Sequence, residues 1–280
     1  MDSRVRTITN KKSISEYIAE IWNYNELFWI LAKRDIIVKY KQAILGVGWA
    51  AIRPLITTLV MALAFGRLGK LDVNSPIPYM LIVSAGVTIW LFFSQCLTTI
   101  STSLVLNSNL ITKVYFPRLI IPISSIFIGL VDVVVSLAVF AGICLYYQYL
   151  PDLKLILVPA ILALTFLASF GIGLIAAVLN VKYRDIGQLI SFVVQFGTFL
   201  SPVAYLTDAY KTGANGDILY KLAMLNPVTG CIDAMRWAML GDFAAFNWNS
   251  FIPLVVFILI TFFYSIRFFR KHEDSFVDYI

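Results

Sequence analysis

The chain has 280 residues, 60% of them hydrophobic and only 14% charged, whereas a water-soluble domain runs at about 45–50% apolar and about 25% charged. A soluble enzyme or carrier is excluded, and an integral membrane protein with several spans is predicted. The net charge of +6 then bears on orientation in the bilayer, and no nucleic-acid partner is expected.

The first 13 residues are polar, and no short apolar stretch with a small-residue cleavage site follows, so no cleaved signal peptide is expected. Ser13-Ile-Ser-Glu16 has the form of a capping box. From there Ile14, Ile18, Ile21, Trp22, Leu27 and Phe28 fall roughly on one helical face. That pattern suits an amphipathic helix lying in the membrane interface, or a helix packed on the ends of a bundle. A basic run follows, with Lys33, Arg34, Lys39 and Lys41, where anionic headgroups attract each charge by about 1 kcal/mol. The chain turns apolar through Gly46 and Gly48, yet carries Arg53 against Pro54. An arginine so placed snorkels to the surface or faces a wet cavity.

A bilayer core of about 30 Å needs roughly 20 apolar residues per helix. Charge-poor runs place six spans at Val47–Leu68, Ile77–Leu106, Leu119–Tyr147, Leu155–Leu179, Ile186–Thr207 and Phe251–Ile266. The first is uncharged only from Pro54 to Gly66, so its helix must begin before Arg53 or the membrane must thin. Leu222–Phe246 contains Asn226-Pro227, Asp233, Arg236 and Asp242 and reads as a short external re-entrant or interfacial helical hairpin, with Asp233 and Arg236 a surface ion pair. With both ends inside, 16 of the 22 Lys and Arg lie on the cytoplasmic side, as the positive-inside rule requires. The expected organisation is a cytoplasmic N-terminal segment (1–46), an all-α six-span domain (47–269, hairpin 222–246) and a cytoplasmic tail (270–280). Small residues four apart (Ala62/Gly66, Ala138/Gly142, Ser169/Gly173) are those that let membrane helices approach.

The chemistry is sparse. Cys96, Cys144, Cys231 and the single His272 are scattered, which disfavours a disulfide framework, a metal site or Cys/His catalysis. Asp208, Asp217, Asp233 and Asp242 form no acid cluster, and no catalytic centre is expected. A phosphate-cradling loop reads GxxxxGK[ST]; the nearest approach, Gly66 to Leu71, has the wrong spacing and no hydroxyl. Asp132 lies mid-span, which points either to a structural carboxyl, protonated or bonded to a serine, or to a proton-coupled secondary transporter. Asp185 after Arg184 suggests a local ion pair capping the fifth span.

Five motifs occur in one order along nearly the whole chain. They are Arg34-Asp35 with Val38-Lys39-Tyr40-Lys41, Leu45-Gly46, Trp49 and Pro54; Leu110–Pro122 (LITKVYFPRLIIP); Asn180–Ile186 (NVKYRDI); Phe199–Tyr205 (FLSPVAY); and Leu225–Leu240 (LNPVTGCIDAMRWAML). Together they resemble the polysaccharide-export permease family of ABC transporters; Arg53 departs from that pattern. The resemblance implies a homodimeric permease in the bacterial inner membrane, moving a lipid-linked polysaccharide (O-antigen, capsule or teichoic acid), with ATP and Mg bound by a separate ATPase subunit and no cofactor in this chain. It makes Asn109, Lys113, Tyr115, Phe116, Pro117 and Arg118 of the first internal loop, and Glu26, Arg34 and Asp35 of the N-terminal segment, candidates for ATPase coupling. It places the first and fifth spans along the path between protomers, where Trp49, Phe65, Phe192, Phe196, Phe199 and Tyr205 could stack on sugar faces. Arg34 and Arg53, at the inner mouth, are candidates for a lipid pyrophosphate, because arginine can grip phosphate oxygens in pairs. Membrane lipids complete the expected partners.

Overall fold

The computed structural model describes residues 14–41, 48–69, 76–211 and 216–276. Ser13, Gly46, Lys70 and Leu71 lie outside them, so the capping box, the first glycine and the end of the near-miss phosphate loop are not described. Every regular element among the described residues is helical.

The N-terminal segment forms two helices, α1 (Ile14–Asn23) and α2 (Asn25–Lys41), which break at Tyr24. The first span is α3 (Gly48–Met61) continued by a π-helical turn, Ala62–Leu68. Its start at Gly48 gives a run of 21 residues, so no thinning is needed to accommodate Arg53. The second is α4 (Tyr79–Leu106, 28 residues), about 42 Å long at the helical rise. Short helices α5 (Ser108–Lys113) and α6 (Ile120–Ser124) lead into α7 (Ile126–Tyr146), and α6 and α7 together make the third span. The fourth is α8 (Val158–Lys182), entered through a 3-10 turn at Leu153–Leu157. Then come α9 (Asp185–Leu200), the hairpin α10 (Gly216–Leu225) and α11 (Pro227–Leu240), and the last span α12 (Trp248–His272).

Among the described residues five helical stretches are long and apolar enough to cross a membrane, and α9 is a shorter apolar helix of 16 residues. The run predicted for α9 reached Thr207, but the helix stops at Leu200 because Pro202 follows. A proline clashes with helical backbone at the residue before it, and Ser201 is accordingly extended (φ −105°, ψ 149°).

The core is built around α4, which packs on α8, α7, α11, α3 and α9. Leu81 to Trp90 are all buried. Its many Ser and Thr side chains donate to carbonyls three or four residues back, as Thr88 does to Ser84 and Ser103 to Ile100, which satisfies polar groups where no water is available. Of the small-residue pairs, Ser169/Gly173 brings α8 onto α4: a Cβ at Gly173 would stand 2.9 Å from Ile100. Ala138 and Gly142 instead lie on an exposed face of α7.

Tyr17 of α1 donates to the carboxylate of Glu273 (2.9 Å), just past α12, so both ends of the described chain meet on one side, the terminal face. The α10–α11 hairpin lies at the opposite end, where Tyr149 donates to the Leu240 carbonyl (2.9 Å). Asn226 caps α11 by accepting from the Val228 amide (3.0 Å), with Pro227 in the first turn, the pairing that starts helices well.

Candidate coupling face, mouth crevice and aromatic surface

The Asn107–Arg118 loop is anchored at both ends and open in the middle. Asn107 donates to the Ser103 carbonyl (2.8 Å) and accepts from Arg34 of α2 (2.6 Å); Arg34 also pairs with Asp35 (2.6 Å). At the far end the Arg118 amide donates to Glu273 (3.0 Å) and its guanidinium donates to the Glu273 carbonyl. The same guanidinium lies over the ring of Phe276. Three segments distant in sequence thus converge on Glu273: α1 through Tyr17, the loop through Arg118, and the tail itself. Burial, then the adjacent carboxylate, push the Tyr17 phenol far above its usual range, so it remains a donor.

Between these anchors the loop presents alternate faces. Phe116 is 3% exposed and Pro117 is buried, whereas Tyr115 is 60% exposed. Asn109, Thr112, Lys113 and Val114 are also exposed. Of the six loop residues predicted for coupling, Asn109, Lys113 and Tyr115 therefore form an accessible edge, while Phe116, Pro117 and Arg118 hold that edge to the bundle. Glu26 is exposed on α2. Glu273 and Phe276 went unforeseen; the acid-aromatic pairing in the tail was the available signal.

The α1–α2 segment packs on the bundle end, with Phe28 and Trp29 against Phe127 (ring centroids 5.5 and 5.1 Å). Trp22, expected on the same face as Ile21 and Phe28, points away, and Trp29, Ile30, Ile37 and Val38 of α2 are also exposed. The segment thus has a packed side and an apolar outer side.

Where α2, α3 and α7 meet there is a crevice of about 190 Å³ lined by Lys39, Tyr40, Trp49, Arg53, Leu91, Asp132 and Ser136. Asp132 accepts from Lys39 Nζ (2.5 Å) and from the Tyr40 hydroxyl, each at its own oxygen. Neither a serine bond nor an unpaired mid-span acid was the outcome: Ser136 donates to the backbone carbonyl of Asp132 (3.0 Å), and α2 supplies the cation. Sequence inspection missed this because Lys39 and Asp132 are 93 residues apart. Arg53 lines the same crevice, is exposed, and among the described residues makes no ion pair or hydrogen bond.

On α9, Phe192, Phe196 and Phe199 are exposed, the first two stacked with their planes 8° apart. Trp49 is exposed on α3. Phe65 and Tyr205 instead face each other (centroids 6.2 Å) near the hairpin end, tying α3 to the segment after α9. Arg184 and Asp185 are both exposed and form no ion pair among the described residues.

That segment, Ser201 to Tyr205, is held by the hairpin. Arg236 is 1% exposed and donates to the carbonyls of Ile82 (3.2 Å), Val203 (2.9 Å) and Tyr205 (2.9 Å). Tyr79 donates to the carbonyl of Ala204, between them. Gly86 lets the segment come this close, since a Cβ there would stand 2.4 Å from the Val203 carbonyl oxygen. The predicted surface pair of Asp233 and Arg236 is therefore corrected: Asp233 accepts from Thr207 (2.5 Å), Asn247 and Ser250 (2.9 Å each). Proline ended α9 and left carbonyls that only a buried donor could satisfy. The signal was a lone cation in an otherwise apolar helix.

A multi-span helical bundle cross-braced at its terminal face and capped by a helical hairpin at the other fits a membrane permease. Residues 26–240 match the ABC-2 type transporter family, and the chain belongs to it. It is similar to an O-antigen export system permease protein RfbA of Klebsiella pneumoniae, 25% identical over 236 residues, covering 84% of this chain and 88% of the relative. A protein of the same name from Myxococcus xanthus is 25% identical over 188 residues, covering 67% of this chain and 71% of that protein. Membership in the family implies an ABC ATPase as partner.

Proposed function

We propose that this chain is the permease subunit of an ATP-driven exporter that carries a lipid-linked polysaccharide, O-antigen in the first instance, across the bacterial inner membrane. Capsular polysaccharide or teichoic acid would use the same machinery. The terminal face is cytoplasmic in this reading, and two copies of the chain assemble with two ATPase subunits that bind ATP and Mg. The observation that carries it is the exposed Asn109–Tyr115 edge, braced from beneath by Phe116 and Arg118. Force applied to such an edge passes into the bundle rather than being lost in a slack loop. Glu26, Arg34 and Asp35 lie on the adjoining helix α2, with Arg34 bonded to the loop at Asn107.

The lipid headgroup enters at the crevice, where Arg53 meets it, and Arg34 holds the neighbouring loop from its place beside Asp35. The outer apolar side of α1–α2 rests in the membrane interface. The glycan then passes along α3 and α9, stacking transiently on Trp49, Phe192, Phe196 and Phe199; a surface of aromatic faces can pass many sugars without holding any one tightly. Phe65 and Tyr205 close the far end, next to the hairpin. Asp132 is engaged by Lys39 and Tyr40, which favours an anchoring role over a proton relay.

The test is reconstitution in vesicles with and without the partner ATPase, following the sidedness of a labelled glycolipid. Transport is expected only with ATPase, Mg and ATP together, and is expected to fall at least about tenfold with Tyr115→Ala, as when an interface anchor is removed. Full-rate transport by this chain alone would sink the reading.

A further inference from the structure

The crevice between α2, α3 and α7 holds two cations, Lys39 and Arg53, against one carboxylate, Asp132. Arg53 belongs to a membrane-spanning helix and is one residue from buried Pro54. A guanidinium on a membrane-spanning helix needs an anion or water, and Asp132 is already committed to Lys39. The two bonds on Asp132 are separable: Lys39 takes Oδ2 and Tyr40 takes Oδ1. The pair is also reachable, with 32% of the lysine side chain and 19% of the aspartate side chain exposed.

We propose that Asp132 is a built-in stand-in for a phosphoryl anion, holding Lys39 until a diphosphate takes that lysine over. The incoming diphosphate is gripped by the Arg53 fork and the Lys39 point charge, the two modes by which proteins hold phosphate. The displaced carboxylate stays bonded to the Tyr40 hydroxyl, so it is not left as an unpartnered buried charge. The exposed indole of Trp49 offers an apolar wall to a carbon chain attached to the diphosphate. The exchange rests on the crevice being the place of headgroup entry. It adds that arrival of the headgroup breaks the Lys39–Asp132 ion pair and leaves the Tyr40–Asp132 bond as the polar link between α2 and α7, so loading loosens the N-terminal helix without releasing it.

The experiment measures binding of farnesyl diphosphate, with inorganic pyrophosphate in parallel, to the full chain in nanodiscs of neutral phosphatidylcholine. Asp132→Asn is expected to tighten farnesyl diphosphate binding about tenfold, the effect of removing one competing charged hydrogen bond. Lys39→Gln and Arg53→Gln are each expected to weaken it by a similar factor. In the Lys39→Gln background, Asp132→Asn is expected to tighten binding less, because only the direct repulsion between carboxylate and diphosphate is then relieved. Should Asp132→Asn not fold, Tyr40→Phe decides: with no second donor to keep the displaced carboxylate, binding is expected to weaken about threefold.

If Arg53→Gln weakens binding but Asp132→Asn changes nothing, or tightens it equally without Lys39, the exchange is wrong and headgroup entry stands. If no diphosphate binds to any variant, both fail. Equal affinity for inorganic pyrophosphate would assign the crevice to a free anion and overturn the lipid-headgroup form of the proposal.

Discussion

The two ends of the bundle use polar side chains in opposite ways. At the hairpin end, Arg236, Tyr79 and Asp233 bind backbone carbonyls and uncharged side chains at close quarters. At the terminal face, charges join segments far apart in sequence, Arg34 to Asn107, Lys39 to Asp132 and Arg118 to Glu273, and the side chains stay partly exposed. Arg236 is 1% exposed, so breaking its bonds costs the full desolvation of the carbonyls left behind. Bonds at the terminal face can be traded for water, lipid or a partner protein. The hairpin end is thus built to keep its shape and the terminal face to change its contacts.

The largest effect that would break this contrast lies at Arg236. Replacing it with Met should strip donors from three carbonyls and cost about 3 kcal/mol or more, read as a lower melting temperature of the purified protein and poor recovery from membranes. A variant of wild-type stability would mean the hairpin is not the rigid end. Next are two neighbours with opposite exposure. Phe116→Ala should lose about 3 kcal/mol of stability, while Tyr115→Ala should stay within about 0.5 kcal/mol yet abolish stimulation of the partner ATPase; thermal melts and ATPase assays on the same preparations separate the two.

Glu273→Gln removes the charge at the junction of α1, the loop and the tail. A loss of about 1 kcal/mol is expected, with protease accessibility rising at α1 before any other helix. Smallest in stability are Phe192→Ala and Phe196→Ala. Their exposed rings should contribute within about 0.5 kcal/mol to folding, while polymer export slows several-fold in a sidedness assay.

The spans were legible because charge is forbidden in hydrocarbon, so gaps between Asp, Glu, Lys and Arg mark helices directly. The break at Asn226-Pro227 was legible, but the helical pair runs from Gly216 to Leu240, earlier at both ends than the Leu222–Phe246 read from the sequence. What escaped was pairing. Lys39 and Asp132 give no sign of each other in the sequence, and Arg236 looked like the partner of Asp233 because three residues apart is the spacing of surface ion pairs. Burial reversed that reading: once water is gone, a guanidinium with five donors goes where carbonyls are unsatisfied. Pro202 was visible, but its consequence depended on Gly86 and Arg236, which lie on two other helices. In the Asn107–Arg118 loop the sequence did not tell the outward Tyr115 from the inward Phe116.

The junction at Glu273 also imposes an order on biogenesis. Tyr17 and Arg118 emerge from the ribosome long before the residue that joins them, so this brace stays open while three further spans and the shorter helix α9 are made. Only a chain translated past the last span can close that junction. Whatever docks on the loop thereby receives proof that the last span has been made.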